Sequence, residues 1–242
     1  EESPVMRLSL IRLDESRYHM VWTSHHILFD GWSIPVLMES FLRTYDQLLS
    51  GITVSDEGVD NYEDYIRYLE KRDKVSEECY WRGYMSGLEN GSLLPFVKVT
   101  ADRNKGLGEY GLQLLELGEE ETRQLESYAH LHHITLNTVM QGVWSYLLYR
   151  YTGSVHVSYG VAVSGRPEDL ENVEQRVGLY INTIPLHAVI EEDRTLVSWL
   201  QGLQQEQIRS RKYQYASLSD IQRWTELPGD LFDSILVFEN FP

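Results

Sequence analysis

Val155 to Val163 limits the possible folds of this chain more than any other stretch. Both of its alternating sets are apolar or small: Val155, Val157, Tyr159, Val161 and Val163 against His156, Ser158, Gly160 and Ala162. Strand side chains alternate between faces. A strand with no solvated face belongs inside a sheet that is covered on both sides. Just before it, Leu136, Val139, Met140, Val143, Trp144, Leu147, Leu148 and Tyr151 step by three and four, as one face of a helix over Thr135 to Tyr151. A covered strand beside an amphipathic helix demands layers of helix on sheet.

The rest of the chain reads the same way. Val5 to Leu13 and Tyr18 to Ser24 are extended runs around Asp14-Glu15-Ser16-Arg17, which predicts a hairpin. Trp32 to Leu49 reads as a helix with Leu37, Phe41, Tyr45 and Leu48 on one stripe and Gly51 as its stop. Asn61 to Met85 reads as a second helical stretch, Gly111 to Leu117 as a strand and Glu119 to Leu131 as an acidic helix. Gly178 to Val189 reads as a strand broken by Pro185, Thr195 to Lys212 as a helix, and Asp233 to Glu239 as a last strand. Strands and helices alternate in both halves, so the expected class is α/β. Breakers gather between Glu89 and Gly108. They divide the chain into an expected first part (1–90), a linker (91–108) and a second part (109–242).

Composition excludes several partners. The net charge of −16 and a pI near 4.9 argue against nucleic acid and anionic membranes, which need basic surface. Cys79 is the one cysteine, with no partner for an internal disulfide and no neighbour at zinc-ligand spacing, so neither a disulfide framework nor a metal site is expected. The expected compartment is the cytosol. The chain starts at Glu1 without a Met, reaches a strand within a few residues and ends straight after another. Both ends are therefore expected to be cut from something larger.

The chemistry-bearing stretch is His25-His26-Ile27-Leu28-Phe29-Asp30-Gly31, where an extended run gives way to a helical one. Adjacent histidines at a strand end place one imidazole on each face, so one ring can plug the core while the other looks into a cleft. Asp30 must be paired if it is buried, and Gly31 lets the backbone bend or a substrate approach closely. A chance match to HHxxxDG is about one in a thousand for a motif named in advance. His132-His133 is a decoy: Asn137 and Thr138 stand where the Asp and Gly would be, and that pair reads as structural.

HHxxxDG followed by Trp32-Ser33 resembles the condensation domains of nonribosomal peptide synthetases. Tyr62-Glu63-Asp64-Tyr65 is similar to that family's YxDY segment, and Val161 through Ser164-Gly165-Arg166-Pro167 to its SGRP loop. Val177-Gly178-Leu179-Tyr180-Ile181-Asn182-Thr183 resembles its VGxFINT segment, with His187 where Arg is common. Tyr213 to Leu218, Ile221-Gln222-Arg223-Trp224 and Leu231 to Pro242 resemble its HQYAPL, IQRW and LFDSLLVFENYP elements. The resemblance runs in order along nearly the whole chain. It implies a chloramphenicol acetyltransferase-like, two-lobed (V-shaped) fold of mixed sheets with flanking helices, incomplete at both ends. The intact double His argues against a heterocyclization domain, and Asp30-Gly31-Trp32-Ser33 with the SGRP loop favours true condensation over epimerization. The run from Trp22 through Leu37 is more similar to members that take an L-configured donor.

By this resemblance, an aminoacyl thioester on a downstream carrier attacks an aminoacyl or peptidyl thioester on an upstream carrier. His26 is then the cleft-facing catalytic His, by positioning and electrostatics more than by obligatory deprotonation. His25 is a packed ring, Asp30 points away from substrate and pairs with an Arg, and Arg166 is the candidate partner by its place in the SGRP loop. Gly31 keeps the backbone close to the reacting thioester. Trp32, Ser33, Tyr180 and Asn182 are candidates to line the cleft, with Asn182 equally placed to cap a turn, and Trp32 and Trp224 are expected in the core rather than on the substrate. No metal or bound cofactor is implied; the phosphopantetheine arms of the carriers enter as substrate tethers. Partners are the two peptidyl carrier domains and an adjacent adenylation domain. Competing readings are a stand-alone acyltransferase that uses coenzyme A, a non-catalytic recruitment module, and an inactive fragment.

Overall fold

A computed structural model describes residues 5–54, 62–97 and 111–239. Glu1 to Pro4, Asn61, most of the expected linker (98–108) and the final Asn240-Phe241-Pro242 lie outside the described residues. Contacts group the chain into two compact units. One contains residues 1–72 and 164–181, the other 73–163 and 182–240. The grouping is not sequential along the chain, because the segment between the two long strands of the second unit belongs to the first.

In the first unit, β1 (Met6–Arg12) and β2 (Tyr18–Ser24) pair antiparallel from Met6↔Ser24 to Arg12↔Tyr18. The turn is made by Asp14, whose carboxylate accepts from the backbone N–H groups of Ser16 and Arg17 at 2.9 and 2.8 Å. These bonds, led by Ser16, hold the Asp14 carboxyl below the usual carboxylate range. Helix α1 (Ser33–Leu49) follows, then α2 (Glu63–Glu70). The expected stripe on α1 is present as a pattern, but Phe41, Tyr45 and Leu48 are exposed in this chain, as are Leu8, Leu10 and Ile11 of the hairpin.

The expected helix over Asn61 to Met85 is interrupted. α2 stops at Glu70, and α3 (Lys74–Tyr84) starts afresh behind Asp73, whose carboxylate caps the N–H groups of Val75 and Ser76. The second unit continues with α4 (Glu119–Leu131) and α5 (Leu136–Thr152), which ends on Gly153 at φ +74. His132 and His133 form the joint between these helices, their carbonyls bound by the Gln201 and Gln204 side chains. Gly111 to Leu117 makes no strand: no described strand lies beside it, and Leu112, Leu114 and Leu115 are exposed.

β3 (His156–Val163) is the central strand of a mixed three-stranded sheet in the order β4-β3-β5. β4 (Asn182–Val189) pairs antiparallel with it, and the short β5 (Ile235–Leu236) pairs parallel. Pro185 does not break β4, because among the described residues β4 is the edge of this sheet, and a strand edge tolerates the missing N–H. Helix α6 (Leu196–Ser210) is capped by Thr195. The short α7 (Leu218–Thr225), which hydrophobic periodicity did not reveal, is capped by Ser217. Trp81, Leu148, Val157, Tyr159, Leu186, Ile221 and Trp224 form the core of this unit. Each fully buried large side chain contributes about 1.5–3 kcal/mol. Ser158, buried in the middle of β3, keeps its hydroxyl satisfied by donating to Leu231 O at 2.6 Å.

Candidate active site

β2 ends at Ser24, so the histidine pair does not lie on a strand as expected. It occupies the turn that follows. His25 N–H donates to Val5 O at 2.7 Å, and Leu28 N–H donates to His25 O at 3.1 Å, closing the turn around His26 and Ile27. Both imidazoles are exposed in this chain. The expected packed ring of His25 is therefore not found. Its Nδ1 accepts the Ile27 N–H at 3.1 Å instead, because the turn folds that amide back over the ring. The His26 ring is exposed and makes no hydrogen bond to a described residue.

Asp30 ends the turn as a buried carboxylate. Its side chain is 4% exposed, and the Arg166 side chain is 6% exposed; Arg166 Nη2 lies 3.1 Å from Asp30 Oδ1. Oδ1 also accepts from Ser33 N–H at 3.1 Å and from Ser33 Oγ at 2.8 Å. Oδ2 accepts from the N–H groups of Tyr180 and Ile181 at 3.0 and 3.3 Å. One guanidinium, three backbone amides and a hydroxyl thus serve a single carboxylate at the start of α1, where the helix dipole also favours negative charge. A buried charge is tolerated on just these terms, paired and hydrogen-bonded.

Arg166 is placed as tightly. Nη1 donates to the carbonyls of Val173 and Arg176, the latter at 2.9 Å, and Nη2 also reaches Ser33 Oγ at 3.3 Å. The guanidinium lies over the Tyr180 ring, 4.2 Å from its centroid. Tyr180 in turn packs edge-on against Tyr62 and tilted against Tyr65. Gly165 makes the loop possible: its φ is +61, and a Cβ there would stand 1.8 Å from Tyr180 O.

These contacts correct two expected cleft residues, Ser33 and Tyr180, and engage the third, Asn182, in the backbone. Ser33 is fully buried beside Asp30, because its hydroxyl can serve the carboxylate and the Gly178 backbone together. Tyr180 is buried under Arg166. Asn182 donates through Nδ2 to Gln214 O and Ala216 O, both at 2.8 Å, so it ties the start of β4 to a neighbouring loop. Trp32 is not in the core as expected: it is 42% exposed, because its Nε1 donates to Glu174 O at 3.0 Å at the surface. Trp224 is in the core.

Sequence reasoning missed Tyr62 and Gly178 as part of this cluster. The Tyr62 hydroxyl donates to Leu179 O at 2.6 Å, and the space over Gly178 is filled by the Tyr62 ring, 2.3 Å from where a Cβ would be. Burial first, then the Asp30 charge, raises the Tyr62 pKa and keeps it a donor. The signal available was the Tyr62 to Tyr65 segment itself, which carried the family pattern without a role. Among the described residues no group of His, Cys, Asp and Glu could hold a metal ion, and no helix is long and apolar enough to cross a membrane.

The sequence pattern of the family described as "Condensation domain" matches residues 1–242. A linear gramicidin synthase of Brevibacillus parabrevis is 38% identical over 244 residues, covering 100% of this chain and 5% of that protein. The X-domain from teicoplanin biosynthesis superposes with a TM-score of 0.77 at 19% identity, over 95% of this chain and 52% of that one. The first condensation domain of the calcium-dependent antibiotic synthetase, in complex with a substrate analogue, gives 0.69 at 19% identity, over 96% and 53%. The α/β fold is therefore that of the solved condensation domains, of which this chain spans about half the length.

Proposed function

This chain belongs to the condensation-domain family, and we propose that its parent protein forms an amide bond between two carrier-bound substrates in nonribosomal peptide synthesis. The α-amine of the downstream aminoacyl thioester attacks the carbonyl of the upstream thioester. A C–N bond forms and the C–S bond breaks. The upstream phosphopantetheine leaves as a thiolate, and the proton released by the amine neutralises it.

One observation carries this reading: the family pattern spans residues 1–242 with His25, His26, Asp30 and Gly31 intact. His26 is assigned the chemistry. A neutral imidazole nitrogen can accept a proton. An α-amine with a pKa near ~8 is already partly uncharged at neutral pH, so holding the amine and stabilising the charged tetrahedral adduct suffice. The Asp30–Arg166 pair supports this division of labour, since it engages Asp30 fully and leaves the His26 ring exposed. Gly31 is assigned to close approach of the thioester and Trp32 to the rim.

The donor is L-configured in this reading. The partners are an upstream and a downstream peptidyl carrier domain and an adjacent adenylation domain, in the cytoplasm. The phosphopantetheine arms are tethers of the substrates, and the protein holds no cofactor of its own.

Single-turnover transfer in the full-length parent tests the proposal, with one carrier loaded with donor, the other with acceptor, and the acceptor arm read by mass spectrometry. A dipeptidyl mass on the acceptor arm that is lost in His26→Ala is expected. Transfer at the parental rate in that variant overturns the assignment of His26. Reaction with acyl-coenzyme A but with no carrier pair moves the chain to the stand-alone acyltransferases.

A further inference from the structure

Unlike His25 and Asp30 in the same turn, His26 has no side-chain hydrogen bond to a described residue. Its ring is exposed and makes no hydrogen bond to a described residue, so its aim is set by the backbone on either side. On the N-terminal side that backbone is fixed by His25 N–H on Val5 O and by Leu28 N–H on His25 O. On the C-terminal side Ile34 N–H donates to Gly31 O at 3.3 Å, and Asp30 is held against the segment 178–181. That segment is bound residue by residue. Gly178 O accepts from Asp30 N–H at 3.1 Å, and Tyr180 N–H and Ile181 N–H donate to Asp30 Oδ2.

Two side chains outside the HHxxxDG motif complete the joint. Ser33 Oγ lies 3.0 Å from Gly178 O and 2.8 Å from Asp30 Oδ1, and accepts from Gly178 N–H at 3.1 Å and from Arg166 Nη2 at 3.3 Å. A hydroxyl has one proton and two lone pairs. Both lone pairs are taken by the two N–H donors, and its single proton is shared between the carboxylate and the Gly178 carbonyl. Tyr62 supplies the second tie, through its 2.6 Å bond to Leu179 O and a ring that occupies the space over Gly178.

We propose that Ser33 and Tyr62 are positioning residues: their hydroxyls hold segment 178–181 against the end of the His25–Gly31 turn, and so hold His26 in its reactive placement. Removing the Ser33 hydroxyl leaves Asp30 with Arg166 and three backbone donors, so the carboxylate stays paired. What is lost is the acceptor for Gly178 N–H and the register of the segment. A purely structural role would lower stability without depending on His26. A positioning role acts through His26 and disappears when His26 is gone.

The inference rests on the proposed role of His26, and a double-mutant cycle in the full-length parent separates the two. Saturating single-turnover rates and half-saturating carrier concentrations are measured for the parent, Ser33→Ala, His26→Ala and the pair. Ser33→Ala is expected to slow transfer between about tenfold and a hundredfold, with half-saturation unchanged, and to add nothing in the His26→Ala background. Equal fold-losses in both backgrounds, or a parental rate for Ser33→Ala, overturn the positioning role and leave His26 untouched. A parental rate for His26→Ala alone overturns the proposed role of His26, and this inference with it. Should Ser33→Ala fail to fold, Tyr62→Phe goes through the same cycle and is judged by the same outcomes.

Discussion

Arg166 Nη2 stands 3.1 Å from Asp30 Oδ1, across 136 residues of sequence, and both side chains are almost wholly out of water. The pair is a joint, and its worth lies in what each partner would suffer alone. Arg166→Ala strands the Asp30 charge in the interior, and loss of about 3–5 kcal/mol is expected by denaturant unfolding. Arg166→Lys should not rescue it, because an ammonium cannot span Asp30, Ser33, Val173 and Arg176 or lie flat on Tyr180. Asp30→Asn combined with Arg166→Met should recover part of the loss, since no buried charge then remains.

Two glycines with positive φ give a graded test of the loop. Gly153 closes α5 at φ +74, and nothing lies within 4 Å of the place a Cβ would take, so Gly153→Ala carries the left-handed backbone cost alone, about 1–2 kcal/mol. Gly165 has a similar φ, but a Cβ there meets Tyr180 O at 1.8 Å. Gly165→Ala should therefore cost clearly more than Gly153→Ala in thermal or denaturant unfolding. Equal costs would show that the Tyr180 backbone can move away freely.

Asn182 separates a cleft-lining role from a structural one. Its Nδ2 makes two 2.8 Å bonds to backbone carbonyls, and its Oδ1 accepts from Thr183 N–H at 2.9 Å. Asn182→Ala should destabilise the fold by about 1–3 kcal/mol while leaving half-saturating carrier concentrations in place. A change in half-saturation with no change in stability would return Asn182 to the cleft.

His187 makes the stability of the second unit depend on pH. Its Nδ1–H donates to Tyr84 O at 2.9 Å, which leaves Nε2 to accept from His156 Nδ1–H at 3.1 Å. Burial lowers its pKa below 6.5; the Tyr84 carbonyl opposes the shift and His156 adds to it. The unfolded chain then takes up this proton before the folded one does. The stability from this site is complete above pH 6.5 and is lost as the pH falls below that value toward the folded pKa. Denaturant unfolding at a series of pH values should show that slope, and His187→Gln should reduce it.

The second unit was the more legible half of the chain. α5 follows from uninterrupted periodicity, and β3 from a run without a solvated face, because burial in that unit is supplied by neighbouring elements of the chain itself. α7 was overlooked although Ser217 and Asp220 mark its start, since eight residues give too few turns for a stripe to stand out. The break at Asp73 was hidden for the opposite reason: Tyr-rich helix formers on both sides masked a cap. In the site, the partnership of Asp30 was legible because a buried acid needs a cation. The orientation of Ser33 and Tyr180 was not. A hydroxyl beside a motif reads the same whether it faces a substrate or a carboxylate, and only the long-range return of segment 178–181 decides which.

That return has a consequence for synthesis on the ribosome. At about 5–20 residues per second, the 136 residues between Asp30 and Arg166 take roughly 7–27 s to emerge. Throughout that interval the nascent chain carries the acid without its cation, and the turn around His26 has no long-range anchor on its far side. The Asp30–Arg166 joint is thus a late product of translation. Any pause or truncation before residues 164–181 would yield a polypeptide that contains the whole motif in sequence and its local turn bonds, but not the long-range anchors on Asp30.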